Sequence, residues 1–349
     1  MSIQLSPSLT LPPPPIGRSG FPWDPAATAI SPPEDPAHPW PRLTVATPSY
    51  NQGKYLEETI RSVLQQGYPN LEYIIVDGGS RDGSVGIIRK YESWLAHWES
   101  GKDRGQVHAI QKCFNHATGE FFNWINSDDL LAPGALFKVA QAALDCDLVA
   151  GACYNFDSAG HRTLICNSGL VLAELLVGSE ASVFHQPGIW WRREWLGRCG
   201  GFDERFDLAF DYDLLLRYLS LDPRVSYVPE VLAHFRLHPL SKTCSRAGDY
   251  GSERERILED LATHARSAWM RKACGRRLRQ MRWWRQVAQI SSSTHGSTMA
   301  RAVRLALKAL AEPAVRANRF TLGALRNIVT GRSAAAQEGE SRVRAGTIE

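Results

Sequence analysis

An apolar run over residues 121–125 stops abruptly at Asn126-Ser127-Asp128-Asp129, and Pro133-Gly134 then opens a helix-like segment. A buried strand that ends in two adjacent carboxylates is a severe constraint on folding. The two charges repel each other and need water, a cation or both. In an open α/β sheet the C-terminal ends of the strands are where ligands bind. A carboxylate pair in that position suits a divalent metal that holds a diphosphate.

Strands and helices alternate through the stretch that contains this motif. Residues 43–47 predict a short apolar strand, and Pro48-Ser49-Tyr50-Asn51-Gln52-Gly53 a loop. Residues 55–66 predict a helix with Leu56, Ile60, Val63 and Leu64 on one face. A second buried strand over 73–76 ends at Asp77-Gly78-Gly79-Ser80; helices are expected over 84–95 and 106–117, and the strand at 121–125 follows. Strands separated by helices of about a dozen residues mean βαβ units, hence an α/β fold with a mainly parallel sheet flanked by helices. Right-handed crossovers put the loop after each strand along one edge. Asn51, Asp77 and Asp128 are therefore expected to converge.

The flanks differ in character. Residues 1–41 hold more than half of the 20 prolines, four of them in a row at 12–15. Such a stretch lacks the donors and the periodicity of a packed unit, and a mostly disordered extension is expected, free or draped over the domain. The net charge of +4 hides an asymmetry: residues 266–332 carry 15 Lys and Arg against Glu312 alone, which leaves 25 basic and 35 acidic residues elsewhere, a net of −10. Helices are expected over 254–261, 265–290 and 300–311. The second interleaves Arg271, Lys272, Arg276, Arg277, Arg279, Arg282 and Arg285 with Trp269, Trp283 and Trp284; the third is amphipathic, with Val303, Leu307 and Leu310 apolar. The expected organisation is an extension at 1–41, an α/β domain at 42–245, a basic helical region at 246–332 and a disordered tail at 333–349. No apolar run approaches the ~20 residues that span a bilayer. The start of the chain has no secretory pattern. The seven cysteines are scattered with no C-x-x-C pair, which reads as reduced thiols in a cytoplasmic protein, without a zinc site on spacing.

The loops after the strands supply Tyr50, Asn51, Asp77, Asp82, Asp128 and Asp129, but no glycine-rich phosphate cradle of either common type. A nucleotide bound here must be held by carboxylates on its base and ribose and by a metal on its phosphates. Asp77 is the candidate acceptor for a base N–H, with Asp128 and Asp129 for ribose and metal. Plainer readings stand beside these: Asp128-Asp129 as the cap of the next helix, and Asp77-Gly78-Gly79-Ser80 as a turn.

Several strings now fall into an order. Thr47-Pro48-Ser49-Tyr50-Asn51-Gln52, Val76-Asp77-Gly78-Gly79-Ser80-Arg81-Asp82-Gly83-Ser84 and Asn126-Ser127-Asp128-Asp129 resemble those of family 2 glycosyltransferases. Asp103-Arg104-Gly105-Gln106, Gly200-Gly201-Phe202-Asp203-Glu204, Asp211-Tyr212-Asp213-Leu214 and Phe235-Arg236-Leu237-His238 continue the pattern over roughly 42–245. The resemblance implies a GT-A fold, a nucleoside-diphosphate sugar donor, Mn²⁺ or Mg²⁺, and inversion at the anomeric carbon. It places Pro48, Tyr50, Asn51, Asp77, Asp103 and Asp128 at the donor, Asp128, Asp129 and His238 at the metal, and Asp211 as the catalytic base. Two departures are visible: Asn126 stands where the longer D-x-D form has its first aspartate, and Phe210 precedes Asp211 where relatives often carry glutamate.

Other residues keep two readings. Asp213 is a carboxylate near a helix start or a second base, and Arg217 its partner or a phosphate contact. Asp103 is a donor contact or a turn former. His108 and His116 read as helix surface, and Trp190 and Trp191 as an acceptor platform or as core. The basic tail reads as a segment for an anionic membrane surface, for nucleic acid, or as a solvated extension. The membrane is favoured over nucleic acid because many relatives elongate glycans on a lipid carrier. The implied partners are a UDP-sugar first, with guanosine or thymidine donors behind it, and a glycan or lipid-linked acceptor of surface polysaccharide synthesis. The implied location is cytoplasmic, at the inner face of the membrane. A sugar nucleotidyltransferase is the rival enzyme, and a non-catalytic nucleotide-sugar-binding protein the rival from outside catalysis.

Overall fold

The computed structural model describes residues 10–24, 40–177, 184–265, 267–292, 297–311 and 319–330. They fall into two compact units, one within residues 1–175 and 179–253, the other within 176–178 and 254–349. The expectations for the rest of the proline-rich extension and for the tail at 333–349 lie outside the described residues.

The first unit runs β1 (Leu43–Ser49), α1 (Gly53–Leu64), β2 (Leu71–Asp77), α2 (Ser84–Lys90), β3 (His97–Ser100), α3 (Gln106–His116), β4 (Phe121–Trp124), β5 (Leu130–Leu131), α4 (Ala135–Ala142), β6 (Leu148–Phe156), β7 (Arg162–Ile165), α5 (Leu172–Val177), β8 (Ile189–Arg192), α6 (Arg193–Arg198), α7 (Phe210–Leu219), β9 (Val225–Arg236) and α8 (Lys242–Ser245). Helix α9 (Ala247–His264) follows. The strands form one sheet in the order β3-β2-β1-β4-β8-β6-β9-β5, with β7 on β6. The β3-β2-β1-β4 half is parallel. Beyond it β8 runs antiparallel to both β4 and β6.

All seven residues of β1 are buried, as expected for a parallel strand covered on both faces. Helix α1 covers the sheet with Leu56, Ile60 and Val63, the stripe that a 3.6-residue period gives. Its polar flank is also buried and is functional in the fold. Thr59 Oγ1 donates to the Asp129 carbonyl at 2.7 Å, and Ser62 Oγ accepts from Leu131 N at 3.0 Å. The loop after β4 is thus fastened to α1 at Asp129 and just beyond it. Register does the same for the other loops: Ser49 pairs with Asp77 and Asp77 with Ser100, so β1, β2 and β3 end level.

Helix α2 ends at Lys90, earlier than the periodicity predicts. A short 3₁₀ turn over Glu92–Trp94 follows, and Leu95 turns extended so that the chain can enter β3. Residues 10–24 fold back onto α1 through one buried side chain. Arg61 donates to the carbonyls of Pro12, Pro22 and Trp23 at 2.8, 3.2 and 2.9 Å, and to Tyr91 Oη at 3.0 Å. Carbonyls of a proline-rich segment have no ladder of their own, and the guanidinium fork satisfies three of them at once.

The second unit contains the end of α9 with α10 (Ala268–Ser292), α11 (Thr298–Leu310) and α12 (Arg319–Thr330). Trp283, Val287, Ile290, Ala302, Leu305, Ala309 and Ile328 form its core, and Trp283 Nε1 donates to buried Thr321 Oγ1 at 2.9 Å. Arg285 pairs with Glu255, and Arg282 with Glu259. None of the helices is long and apolar enough to cross a membrane, among the described residues.

Candidate active site

A cavity of about 990 Å³ opens past the level ends of the parallel strands. Pro48, Tyr50 and Gly78 reach it from β1 and β2, Asp103 and Gln106 from the entry to α3, and Asn126, Asp128 and Asp129 from the loop after β4. Asp211 comes from the first turn of α7, and Lys242 and Arg246 from the segment after β9. Six of the residues singled out in the sequence, Pro48, Tyr50, Asp103, Asp128, Asp129 and Asp211, thus share one space. Asn51, Asp77 and His238 stand behind its wall.

Asp77 is fully buried and its carboxylate is saturated. Oδ1 accepts from Ser49 and Ser80 hydroxyls at 3.1 and 2.5 Å; Oδ2 accepts from Gly79 N, Ser80 N and Ser100 Oγ at 3.0, 2.8 and 2.7 Å. One carboxylate therefore ties the ends of three strands and the turn that follows β2. Asn51 is its counterpart in the first loop. Its φ of +50° is one that asparagine tolerates, its N–H donates to Ser80 Oγ at 2.7 Å, and its Oδ1 accepts from Arg81 N at 2.9 Å. The carboxylate with an oxygen near the cavity wall is Asp103. Oδ1 takes Gly105 N at 2.9 Å, and Oδ2 lies where a side chain on residue 78 would begin, 2.9 Å from a Cβ built there. A side chain at position 78 would push the Asp103 carboxylate from this place.

Asp128 and Asp129 differ sharply. Asp129 is buried, with Oδ1 accepting from Arg236 N at 2.8 Å and Oδ2 from Asn126 Nδ2 at 3.1 Å. Burial, and then the charge of Asp128 beside it, raise its carboxyl well above the usual aspartate range. Asp128 Oδ2 meets His238 Nε2 at 2.9 Å, while Oδ1 has no hydrogen-bond partner among the described residues. His238 in turn packs at a tilt against the Tyr55 ring. Two adjacent carboxylates, one of them hard to ionise alone, form a donor set that a divalent cation would relieve, and hard oxygens suit Mg²⁺ or Mn²⁺. Arg236 organises the pair: besides its N–H, its Nε donates to the Asp128 carbonyl at 2.8 Å, and its guanidinium pairs with Glu58 at 3.0 Å.

At the start of α7 the two aspartates separate by burial. Asp211 is partly open to the cavity. Asp213 is buried and pairs with Arg217 at 2.6 Å; burial raises its pKa, against the pull of that guanidinium. Arg217 also donates to the carbonyls of Cys199 and Gly201 at 2.5 and 2.9 Å, which fixes the turn before α7. The approach to the helix is set by Glu253, whose carboxylate accepts from the backbone N–H groups of Asp207, Leu208 and Ala209 at 2.9, 2.6 and 2.6 Å. Trp190 and Trp191 are core residues of β8, the second stacked on Trp124.

The sequence reading missed the cations. Lys242 and Arg246 both pair with Asp207, at 2.5 and 2.7 Å. They lie beyond the last recognisable string, so only the fold shows that they face the same cavity as Asp128. His108, read as helix surface, lines the cavity as well.

Residues 44–196 match the family model for glycosyl transferase family 2. An uncharacterised glycosyltransferase of Rickettsia typhi is 26% identical over 220 residues, 58% of this chain and 66% of the relative. One of Mycobacterium tuberculosis is 28% identical over 181 residues, 51% of this chain and 68% of the relative. The matched stretch thus spans about two thirds of these relatives. Among solved structures, S. aureus TarS 1–349 in complex with UDP-GlcNAc aligns with a TM-score of 0.53 at 19% identity, over 74% of this chain and 75% of that one. That likeness shows the GT-A fold, with its α/β sheet flanked by helices. Fold, ordered motifs and family match agree on the stretch over residues 44–196, which matches glycosyl transferase family 2.

Proposed function

We propose that the chain transfers a sugar from a nucleoside diphosphate, UDP foremost, to a hydroxyl of a glycan or lipid-linked acceptor, with inversion. The observation that carries this reading is that Asp211 and the Asp128-Asp129 pair stand on the walls of one cavity. A base and a diphosphate site can then act on opposite sides of one anomeric carbon. The complex of S. aureus TarS with UDP-GlcNAc supports a nucleotide sugar as donor.

In this scheme Pro48 and Tyr50 flank the nucleobase and Asp103 accepts from its N–H. Asp77 and Asn51 act through the loops they hold, rather than by touching the donor. Asp128 contacts ribose and holds the cation, with Asp129 behind it and His238 orienting its other oxygen. A bound Mg²⁺ or Mn²⁺ supplies Lewis-acid neutralisation of the diphosphate. Lys242 and Arg246 add positive charge on the same wall. Asp211 takes the proton from the acceptor hydroxyl as the general base.

The same proposal puts the enzyme at the inner face of a membrane, where lipid-linked acceptors lie. Its support is α11, which packs inward with Ala302, Leu305 and Ala309 and exposes Met299, Val303, Leu307 and Leu310 in a row beside Arg304. Apolar side chains framed by cations suit an anionic bilayer surface. The test of the activity is a panel of nucleotide sugars with Mn²⁺ or Mg²⁺, following release of nucleoside diphosphate. Metal-dependent release from one donor that disappears in Asp128→Ala is the expected result. Release of pyrophosphate from a sugar phosphate and a nucleoside triphosphate would instead identify a nucleotidyltransferase.

A further inference from the structure

Away from the cavity, three metal-ligating side chains meet at the edge of the sheet. His97 and Glu99 lie two apart on edge strand β3, so both project from the same face. His116 is the last residue of α3, the helix that packs on that side of β1 and β2. One ligand atom from each of the three lies within 4.8 Å of the others. The two imidazoles stack at 3.8 Å between ring centroids, and His97 Nε2 stands 4.0 Å from Glu99 Oε2. We infer that His97, Glu99 and His116 form a second metal site, for a borderline transition-metal ion of the Zn²⁺ class, separate from the carboxylate site of the cavity.

Three features support this assignment. His97 Nε2 is buried and has no hydrogen-bond partner among the described residues; a buried polar atom left so costs about 1–3 kcal/mol, and a metal bond would remove that cost. Lys112 Nζ holds Glu99 Oε1 at 2.8 Å and leaves Oε2 on the histidine side. Zinc bonds of about 2.0–2.2 Å set tetrahedral ligand atoms roughly 3.4 Å apart, so closure asks the ligand atoms to draw in by about 1–1.5 Å and one imidazole to turn out of the stack. His116 is exposed at a helix end, where its ring can make that turn.

Imidazole nitrogens select zinc, nickel or copper over magnesium, whereas the oxygen-rich pair at Asp128 and Asp129 has the reverse preference. The two sites are also apart in space. His116 lies ten residues along α3 from Gln106, about 15 Å of helix, and it is Gln106 that lines the cavity. An ion held by β3 and α3 would pin the helix whose first turn forms a cavity wall.

The experiment titrates the full chain with ZnCl₂ in excess Mg²⁺, followed by calorimetry, and repeats it with Co²⁺ followed by visible absorption. The expected result is one equivalent of zinc that is lost in His116→Ala and bound about tenfold or more weakly in Glu99→Gln, with circular dichroism unchanged. Cobalt should show d–d bands without the thiolate charge-transfer band that the exposed Cys166 or Cys244 would give. Absence of zinc binding, or equal affinity and stoichiometry in the parent and in His116→Ala, would overturn the inference. Neither outcome depends on glycosyl transfer.

Discussion

The two units spend their apolar and charged residues in opposite ways. In the first, aromatic and aliphatic side chains fill the sheet core and several buried polar groups are saturated: Asp77 by five donors, Arg61 by three carbonyls and a phenol, Arg217 by a carboxylate and two carbonyls. In the second, a small core around Trp283 and Leu305 coexists with Met299, Val303, Leu307, Leu310, Leu322 and Val329 on the outside. A unit whose buried polar groups tie strand ends and loops together has built a frame for chemistry. A basic unit that leaves apolar stripes outside has built a surface for something else.

The most direct way to break this division is to remove the chemistry while keeping the frame. Asp211→Asn preserves shape and the N–H of Tyr212 still meets an oxygen. Turnover should fall about 10²–10⁴-fold, the usual worth of a general base, with donor affinity unchanged by calorimetry. Near-normal turnover would remove Asp211 from the role.

The frame itself is tested next. Arg61→Ala leaves three carbonyls and Tyr91 Oη short of a donor in a buried place. With about 1 kcal/mol for each lost bond, the first unit should lose about 3–4 kcal/mol in urea unfolding. It should also release residues 10–24 to proteolysis. A loss below ~1 kcal/mol would mean that the segment is not integral to the unit.

These cases also show what the chain reveals before folding. The loops at 48–53, 77–80 and 126–129 were legible because parallel strands buried on both faces read as apolar runs, and their ends mark the ligand edge. Strand β3 was not, because His97-Trp98-Glu99-Ser100 is a polar edge strand with no alternation to follow. The strands β6 to β9, which pair in both senses, lack the strand-helix rhythm that gave the first half away. Nor was the saturation of Asp77 legible: its donors come from Ser49, Ser80 and Ser100, which only the register brings level. On α11 the sequence offers two apolar faces, and only packing reveals that Leu305 is inside and Leu307 outside.

That outward face supplies the third test. Val303→Glu combined with Leu307→Glu leaves the inner face intact but removes apolar contact and adds two negative charges. Exposed side chains of this size contribute on the order of 1 kcal/mol each at an interface, and each charge about another 1 kcal/mol near anionic lipid. Partition onto anionic vesicles should fall by up to about a thousandfold, the fold-change of about 4 kcal/mol, with turnover on a water-soluble acceptor unchanged. Equal flotation would show that the basic unit is not the anchor, and would leave its exposed stripe for a protein partner.

The smallest effect separates the units by acid. In the first unit, burial pushes His185 down to about 4, and burial with the charge of Arg162 pushes His234 down to about 4. Both rings are therefore neutral in the fold and protonate near 6.5 once unfolded. The unfolded chain binds more protons between these values, so their contribution to stability is complete above about pH 6.5 and is lost as the pH falls toward 4. Asp129 and Asp213 act with the opposite sign, because their raised carboxyls take up protons first in the folded state. A difference measurement removes that background. Between about pH 6 and 4.5, His234→Gln should flatten the pH dependence of unfolding by close to one proton, about 1.4 kcal/mol per pH unit. A slope in His234→Gln equal to that of the parent would show that acid sensitivity does not belong to the buried frame, and the contrast between the units fails on this point.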